Sequence, residues 1–156
     1  MTSTADLYDE LGERAQSCST QFRSFGARPT FEGTITTVRC LEDNVILKAT
    51  VGEHGQGRVL VVDGGASLEA ALMGDVIAAI AVDHHWEGVV INGAVRDTKA
   101  LASLDLGIKA LGSNPRKSRK DGVGEVGVEV AFGGVTFQPG ERLVSDADGI
   151  LVFPQA

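Results

Sequence analysis

The sequence predicts an α/β domain with a parallel sheet in its middle third and antiparallel strands after it. Two apolar runs, VLVV at 59–62 and VVI at 89–91, are continuous rather than alternating. Such strands are buried on both faces, as in parallel sheets that are covered by helices. Beyond position 126 the apolar residues alternate around Gly133-Gly134, which predicts an antiparallel hairpin instead.

Composition favours a single domain over residues 1–156, with 43% hydrophobic residues to form a core. The net charge of −7 disfavours direct binding to nucleic acid, because an acidic surface repels phosphates. The sequence has no apolar run long enough for a membrane span and no apolar segment typical of a secretion signal near its start. Its two cysteines form no CxxC pair, so we expect a cytoplasmic protein.

The first elements are predicted to be a helix, a strand and a second helix. Leucines four residues apart favour a helix over Thr4–Ala15, with Ser3 or Thr4 as its cap. The segment 31–38 is rich in threonine and isoleucine and predicts a strand, and 43–51 is compatible with a helix.

The middle of the chain predicts a βαβ unit. A strand at 58–62 is followed by a helical region that ends near His84, and then by the strand at 89–91. Parallel strands joined through a helix normally form a right-handed crossover. A short helix at 97–104 and a third strand at 108–111 follow.

The last third is predicted to be antiparallel. Strands at 126–132 and 135–138 flank the glycine pair, Pro139-Gly140 makes a turn, and Gly149–Phe153 forms a final strand.

In open parallel sheets, ligands bind beyond the carboxyl ends of the strands. One such end carries Asp63-Gly64-Gly65, and the other carries Arg96 beside Asp97. Arginine matches a carboxylate with two parallel N–H groups, and aspartate offers a hard oxygen ligand for Mg²⁺ or Mn²⁺. Taken alone, such a dipeptide is more commonly a surface ion pair in which the aspartate, here Asp97, caps the following helix.

Gly74-Asp75 is a second candidate site. If a helix begins here, the N–H groups of Asp75, Val76 and Ile77 would be free to attract an anion. The alternative is a small residue at a position where two elements pack closely.

Other polar clusters are assigned structural roles. His54, His84 and His85 lack the spacing of metal ligands. The basic segment Arg116–Lys120 is more typical of a solvated loop than of a polyanion site. The glycine-rich segments match neither GxGxxG nor GxxxxGK[ST], so a nucleotide site is not supported.

Several segments together resemble one family. The run GVVINGAVRD at 88–97 is similar to the signature of the proteins called regulator of ribonuclease activity A. Asp75, twenty intervening residues and then Arg96-Asp97 match the D-x20-R-D pattern of that family and of the overlapping class II 4-hydroxy-4-methyl-2-oxoglutarate aldolases. LGIKALGSNPRKS and GVTFQPGERLVSDADGILV also look like family segments, and the likeness begins near Ser17.

The resemblance implies a swivelling β/β/α fold with three layers, one parallel sheet and one antiparallel sheet. It implies homotrimers, sometimes paired into hexamers, with sites at subunit boundaries. It further implies that Arg96 binds the substrate carboxylate and that Asp97 holds Mg²⁺ or Mn²⁺. The backbone amides of Gly74, Asp75, Val76 and Ile77 would bind the oxoacid, and Asp75 would organise metal-bound water.

The activity implied is cleavage of 4-hydroxy-4-methyl-2-oxoglutarate to pyruvate, with decarboxylation of oxaloacetate at the same site. Established aldolases of this group carry a C-terminal extension that donates an acidic group to a neighbouring subunit. This sequence ends at Ala156, so the general base is unassigned. Short members also include proteins that bind and inhibit ribonuclease E, which gives a second expected function. Members once labelled demethylmenaquinone methyltransferases exist too, but this sequence has no recognisable methyl-donor loop.

Overall fold

A computed structural model describes residues 1–155 of the chain. These residues form four α-helices and one 3-10 turn at Gly12–Arg14: α1 (Thr4–Leu11), α2 (Val45–Val51), α3 (Asp75–Asp83) and α4 (Thr98–Leu101). The strands are β1 (Gln16–Ser17), β2 (Arg23–Ser24), β3 (Phe31–Arg39), β4 (Arg58–Asp63), β5 (Ala71–Met73), β6 (Gly88–Val95), β7 (Gly107–Ser113), β8 (Glu125–Val126), β9 (Val130–Phe132), β10 (Val135–Phe137), β11 (Arg142–Asp146) and β12 (Gly149–Phe153).

Four parallel strands, in the order β3-β4-β6-β7, form the centre of a ten-stranded mixed sheet. Antiparallel β11, β12 and β1 continue the sheet beyond β3, and β2 closes the other edge against β7. Short β5 pairs in parallel with the last residues of β6, and β8 pairs with the end of β3. The carboxyl ends of β4 and β6 therefore lie side by side, with Asp63 opposite Asn92.

The central strands are buried on both faces, as the continuous apolar runs predict. Leu60 and Val62 of β4 pack in the core formed with the helices, while Val59 and Val61 pack in a second core on the opposite face. Members of the helical-side core include Leu47, Ile77, Ala81 and Trp86, and members of the other include Phe137, Leu143, Ile150 and Val152. Full burial of a large side chain such as Leu47 or Phe137 contributes roughly 1.5–3 kcal/mol to stability.

The α/β class and the second antiparallel sheet are confirmed, with one difference in where the last strands belong. The predicted hairpin is the small separate sheet of β9 and β10. In contrast, β11 and β12 extend the large sheet, because β11 pairs along β3.

Several predicted boundaries shift for local reasons. Helix α1 ends at Leu11 because Gly12 adopts a φ of 57°, and Ser3 caps its start by accepting the Asp6 N–H. The helical region after β4 proves to be β5 followed by α3, which begins at Asp75. The strand predicted over 126–132 is interrupted at Gly127, whose φ is 75°, and the predicted helix at 97–104 is reduced to Thr98–Leu101.

The single tryptophan, Trp86, lies just before β6 and is 1% exposed. Its indole N–H donates to the main-chain oxygen of Val51 at 3.0 Å, and the Arg58 guanidinium lies 4.6 Å from the ring centroid. Trp86 is therefore fixed at the end of the sheet opposite Arg96 and Asp97, because these two residues follow the same strand.

No helix among residues 1–155 is long and apolar enough to cross a membrane.

Candidate active site

Arg96 and Asp97 leave β6 at its carboxyl end and stay attached to β5. The Arg96 N–H donates to the Met73 main-chain oxygen at 3.0 Å, which continues the pairing of the two strands. Asp97 then adopts a left-handed conformation with a φ of 58°, which aspartate tolerates better than most residues. This turn directs the chain into α4.

The Asp97 side chain does not cap the helix that follows it. Its main-chain oxygen accepts the Leu101 N–H at 2.9 Å, but its carboxylate makes no capping hydrogen bond within the described chain. Instead Asp97 Oδ2 accepts the Asp75 N–H at 3.0 Å. The structure thus disfavours the capping alternative and joins Asp97 to the other candidate segment.

Gly74 is required by this contact. A Cβ built on Gly74 would lie 2.5 Å from Asp97 Oδ2 and 3.1 Å from Arg96 Cγ, well inside contact distance. Both explanations for this glycine hold, since α3 begins directly after it and the two segments also pack closely.

Helix α3 presents its first turn to the same place. Asp75 and Val76 are exposed, whereas Ile77 is buried. First-turn N–H groups have no intrahelical acceptor, and here Asp97 takes the one from Asp75. The anion site predicted from three N–H groups is therefore reduced to those of Val76 and Ile77.

The surroundings of the Asp97 carboxyl favour its ionised form. The hydrogen bond from the Asp75 N–H is the main cause that lowers its pKa, and the nearby Arg96 guanidinium lowers it further. An ionised, exposed carboxylate beside a guanidinium provides one ligand for a cation and one for an anion at neighbouring positions.

These residues line a cleft of about 210 Å³. Its wall is built from α2, the start of α3, the end of β6 and the loop after β7: Asn44, Lys48, Ala71, Gly74, Asp75, Val76, Ile77, Arg96, Asp97, Lys117, Ser118 and Lys120. The predicted residues at 74–77 and 96–97 thus come together here, whereas Asp63-Gly64-Gly65, at the other candidate strand end, does not line this cleft.

Three lysines of this cleft were not among the predicted site residues. Lys48 comes from α2, while Lys117 and Lys120 belong to the basic segment that was expected to be a solvated loop. Both lysines are exposed, as a solvated loop predicts, but their segment is anchored beside the cleft, because Ser118 is 3% exposed and its hydroxyl donates to the Ala71 main-chain oxygen at 2.7 Å. The cluster of basic residues is visible in the sequence and could have pointed to these lysines. The contact of their loop with β5 is long-range, so the local sequence does not predict it.

A second hollow, of about 270 Å³, lies on the other side of Asp97 against Thr98, Ser113, Asn114 and Pro115. Arg96 also borders it and donates weakly from Nη1 to the Pro115 main-chain oxygen at 3.3 Å. The Arg96 side chain therefore separates two recesses that are both open to a ligand at Asp97.

The cysteines and histidines lie outside the cleft. Cys18 and Cys40 are both free and buried, and burial is the main cause that raises the pKa of Cys40 to about 12. His84 Nδ1 lies 2.9 Å from the Ile80 main-chain oxygen at the end of α3, as a structural role predicts.

Solved structures of other proteins resemble this chain over nearly its whole length. The chain is 42% identical to the RNA-processing inhibitor RraA from Thermus thermophilis, with a TM-score of 0.96 over 99% of this chain and 94% of that one. It is 39% identical to the S-adenosylmethionine:2-dimethylmenaquinone methyltransferase from Geobacillus kaustophilus, with a TM-score of 0.97 over 99% and 96%. RraAS2 of Streptomyces coelicolor, an unusual member of the RNase ES inhibitor RraA family, is 26% identical, with a TM-score of 0.81 over 98% and 80%.

The profile of the RraA-like family, described as Aldolase/RraA, matches residues 4–152. The match includes every element of the cleft, from α2 to the loop after β7. The chain is therefore a member of the RraA-like (Aldolase/RraA) family.

Proposed function

We propose that this chain is a divalent-metal-dependent lyase that cleaves 4-hydroxy-4-methyl-2-oxoglutarate to pyruvate and decarboxylates oxaloacetate. The observation that carries the proposal is the ionised Asp97 carboxylate, held by the Asp75 N–H beside Arg96 in a cleft rich in cations. Both reactions build negative charge on the keto oxygen of a pyruvate-like unit, so a single site can serve both.

The cleft fits Mg²⁺ or Mn²⁺ by the chemistry of its donors. The described residues hold no group of three histidine, cysteine, aspartate or glutamate side chains, but Mg²⁺ is commonly bound by one or two carboxylates, with substrate and water oxygens completing the shell. Asp97 would hold the ion directly, and Asp75 would orient its water. When bound, the ion stabilises the negative charge that develops as the carbon–carbon bond breaks.

The remaining roles belong to the chain itself. Arg96 binds the substrate carboxylate through its planar N–H groups and thereby fixes the orientation of the oxoacid. The N–H groups of Val76 and Ile77 at the start of α3 add donors for the same end of the substrate. Gly74 keeps this surface free of a side chain.

The test is pyruvate release from oxaloacetate, measured by a coupled assay with Mg²⁺ and with excess chelator. Asp97→Asn keeps the shape of the side chain but removes its charge, so we expect a loss of at least about a hundredfold in kcat/KM. Asp83→Asn removes an exposed carboxylate from the far end of α3 and should leave activity unchanged. Equal activity of Asp97→Asn and the unaltered protein at limiting Mg²⁺ would contradict the proposal.

A second candidate function is the inhibition of a ribonuclease of the E type by direct binding. The identity of 42% to an RNA-processing inhibitor over nearly the full length of both chains favours it. Adding the protein to a ribonuclease E cleavage assay tests it, and Asp97→Asn should leave such inhibition intact. Cleavage that continues at its normal rate in the presence of excess protein would exclude this function.

We also propose that the active form is a cytoplasmic homotrimer, alone or paired into a hexamer, with the cleft at a subunit boundary. Two exposed apolar side chains support a partner surface: Val76, which lines the cleft and is 63% exposed, and Val123, which is 69% exposed.

A further inference from the structure

We infer that Asn114 positions the Arg96 guanidinium for the substrate carboxylate, an inference that rests on the oxoacid site proposed above. Within residues 1–155 the Arg96 side chain forms no ion pair, and its one hydrogen bond runs from Nη1 to the Pro115 main-chain oxygen. A guanidinium has five N–H groups, so this bond leaves four for a ligand. The direction of the Arg96 side chain therefore depends on where the Pro115 carbonyl lies.

The Pro115 carbonyl lies between two main-chain hydrogen bonds. On one side the Asn114 N–H donates to the Val95 oxygen at 3.0 Å, at the end of β6. On the other side the Arg116 oxygen accepts the Ala71 N–H at 2.7 Å, at the start of β5. These bonds attach the turn to the two strands that lead into the site.

The Asn114 side chain closes this turn with both ends of its amide. Its Oδ1 accepts the Arg116 N–H at 2.9 Å, across Pro115, and its Nδ2 donates to the Leu68 main-chain oxygen at 2.7 Å. Proline has a fixed φ and no N–H, so the turn gains no further main-chain donor from Pro115 and depends on the Asn114 amide.

Loss of this amide should loosen the turn without moving the proposed metal ligand. Asp97 is held by the Asp75 N–H at 3.0 Å and not by this turn. A freer Pro115 carbonyl lets the Arg96 side chain sample more rotamers, and fixing that side chain on binding then costs more entropy. Asn114 is therefore a positioning residue that acts through Arg96 and not through the ion.

The inference is tested on Asn114→Ala by calorimetric titration with pyruvate in the presence of Mg²⁺, and separately with Mn²⁺ alone. We expect pyruvate binding to weaken roughly three- to tenfold and Mn²⁺ binding to stay unchanged. Asn114→Ser should recover part of the loss, because its hydroxyl can still accept the Arg116 N–H. Equal losses of pyruvate and Mn²⁺ affinity in Asn114→Ala would indicate general disruption of the site and would overturn the inference.

A double-mutant cycle with Arg96→Ala separates this role from a structural one. If Asn114 acts through Arg96, Asn114→Ala should lower kcat/KM for oxaloacetate roughly three- to tenfold in the unaltered protein, but by less than about twofold in the Arg96→Ala background. An equal loss in both backgrounds, or no loss in the unaltered protein, would overturn the inference alone.

Gln16→Ala is the matched control. The Gln16 amide also uses both ends on the main chain, since Oε1 accepts the Thr136 N–H at 2.9 Å and Nε2 donates to the Thr136 oxygen at 3.3 Å. Gln16 borders neither recess, so its removal should change neither pyruvate nor Mn²⁺ binding. If the unaltered protein binds no pyruvate, the proposed oxoacid site fails together with the inference.

Discussion

The absence of a side chain at Gly74 leaves room for the Asp97 carboxylate. Gly74→Ala should displace the Asp97 carboxylate, because the new Cβ would lie 2.5 Å from Oδ2. We expect kcat/KM for oxaloacetate to fall about tenfold or more, since a displacement near 1 Å can cost roughly a hundredfold. Steady-state kinetics and the melting temperature measured on the same variant check this.

Gly112→Ala is the control for this substitution. A Cβ at Gly112 would meet nothing nearer than 3.6 Å, and the residue lies in β7 and does not line the cleft. It should leave kcat/KM unchanged. Unaltered kinetics in Gly74→Ala would mean that the contact between the two segments has no part in the activity.

Arg96→Lys separates a substrate-binding role from a structural one. Lysine cannot reproduce the paired N–H geometry of arginine, so we expect a ten- to hundredfold loss in kcat/KM, the equivalent of about 1.5–3 kcal/mol. Metal affinity and melting temperature should change little, because Arg96 is only half-buried. A lower melting temperature with full activity would assign Arg96 to stability instead.

The sequence predicts those parts of the site whose residues are adjacent in the chain. It does not predict contacts between residues that only the fold brings together. Arg96 and Asp97 follow a buried strand directly, so their place at its carboxyl end could be predicted. The use of the Asp75 N–H by Asp97 could not, because it depends on the pairing of β5 with β6. Lys48 is distant in sequence from all of these residues and gave no local signal.

Among the elements, α1 is fastened to the far end of the chain by one buried carboxylate. Asp146 accepts the Thr4 N–H at 2.8 Å and the Thr4 hydroxyl at 2.7 Å, and the Lys109 ammonium donates to its main-chain oxygen. Asp146→Asn should lower the free energy of unfolding by about 1–2 kcal/mol, since charge-assisted bonds become neutral ones. Denaturant unfolding at pH 7 measures this loss.

The loss of stability caused by Asp146→Asn should depend on pH. Burial acts to raise the pKa of Asp146, but the hydrogen bonds from Thr4, Asp148 and Gly149 outweigh it, so the folded pKa lies below the unfolded value. The stabilisation is therefore complete above the unfolded pKa of about 3.9 and is lost as the pH falls through the lower, folded pKa. The stability difference from Asp146→Asn should be constant above about pH 5 and shrink below pH 4.

Asp148→Asn, at an exposed position in the same turn, should show neither effect. A difference for Asp146→Asn that stays constant down to pH 2 would argue against an ionised Asp146 in the fold.

The elements predicted well are those whose own residues form a simple local pattern, such as a continuous apolar run. Gly149–Phe153 was placed with its observed bounds, and the two continuous apolar runs gave β4 and β6. Two-residue strands such as β1 and β2 were missed, because their hydrogen bonds to β12 and β7 are long-range and leave no periodicity. Strand β11 was missed for a related reason, since its two partners define it more than its own short sequence does.

At the scale of the whole molecule, the proposed assembly has a direct test. A single chain has a mass of 16.3 kDa, and light scattering at micromolar concentration should give about three or six times that mass. Val76→Asp and Val123→Asp together would place charge at two exposed apolar positions and should shift the mass toward one chain. Scattering that gives a single chain for the unaltered protein would contradict the trimer.

The position of Trp86 has a spectroscopic consequence. An eight-residue strand, β6, separates it from Arg96, a distance of roughly 26 Å at the usual rise per residue. The fluorescence of this lone indole therefore senses the melting of the sheet and is insensitive to a ligand in the cleft. Unfolding and turnover can then be measured independently in the same sample. Tryptophan emission reports unfolding, and the absorbance of the oxoacid reports turnover.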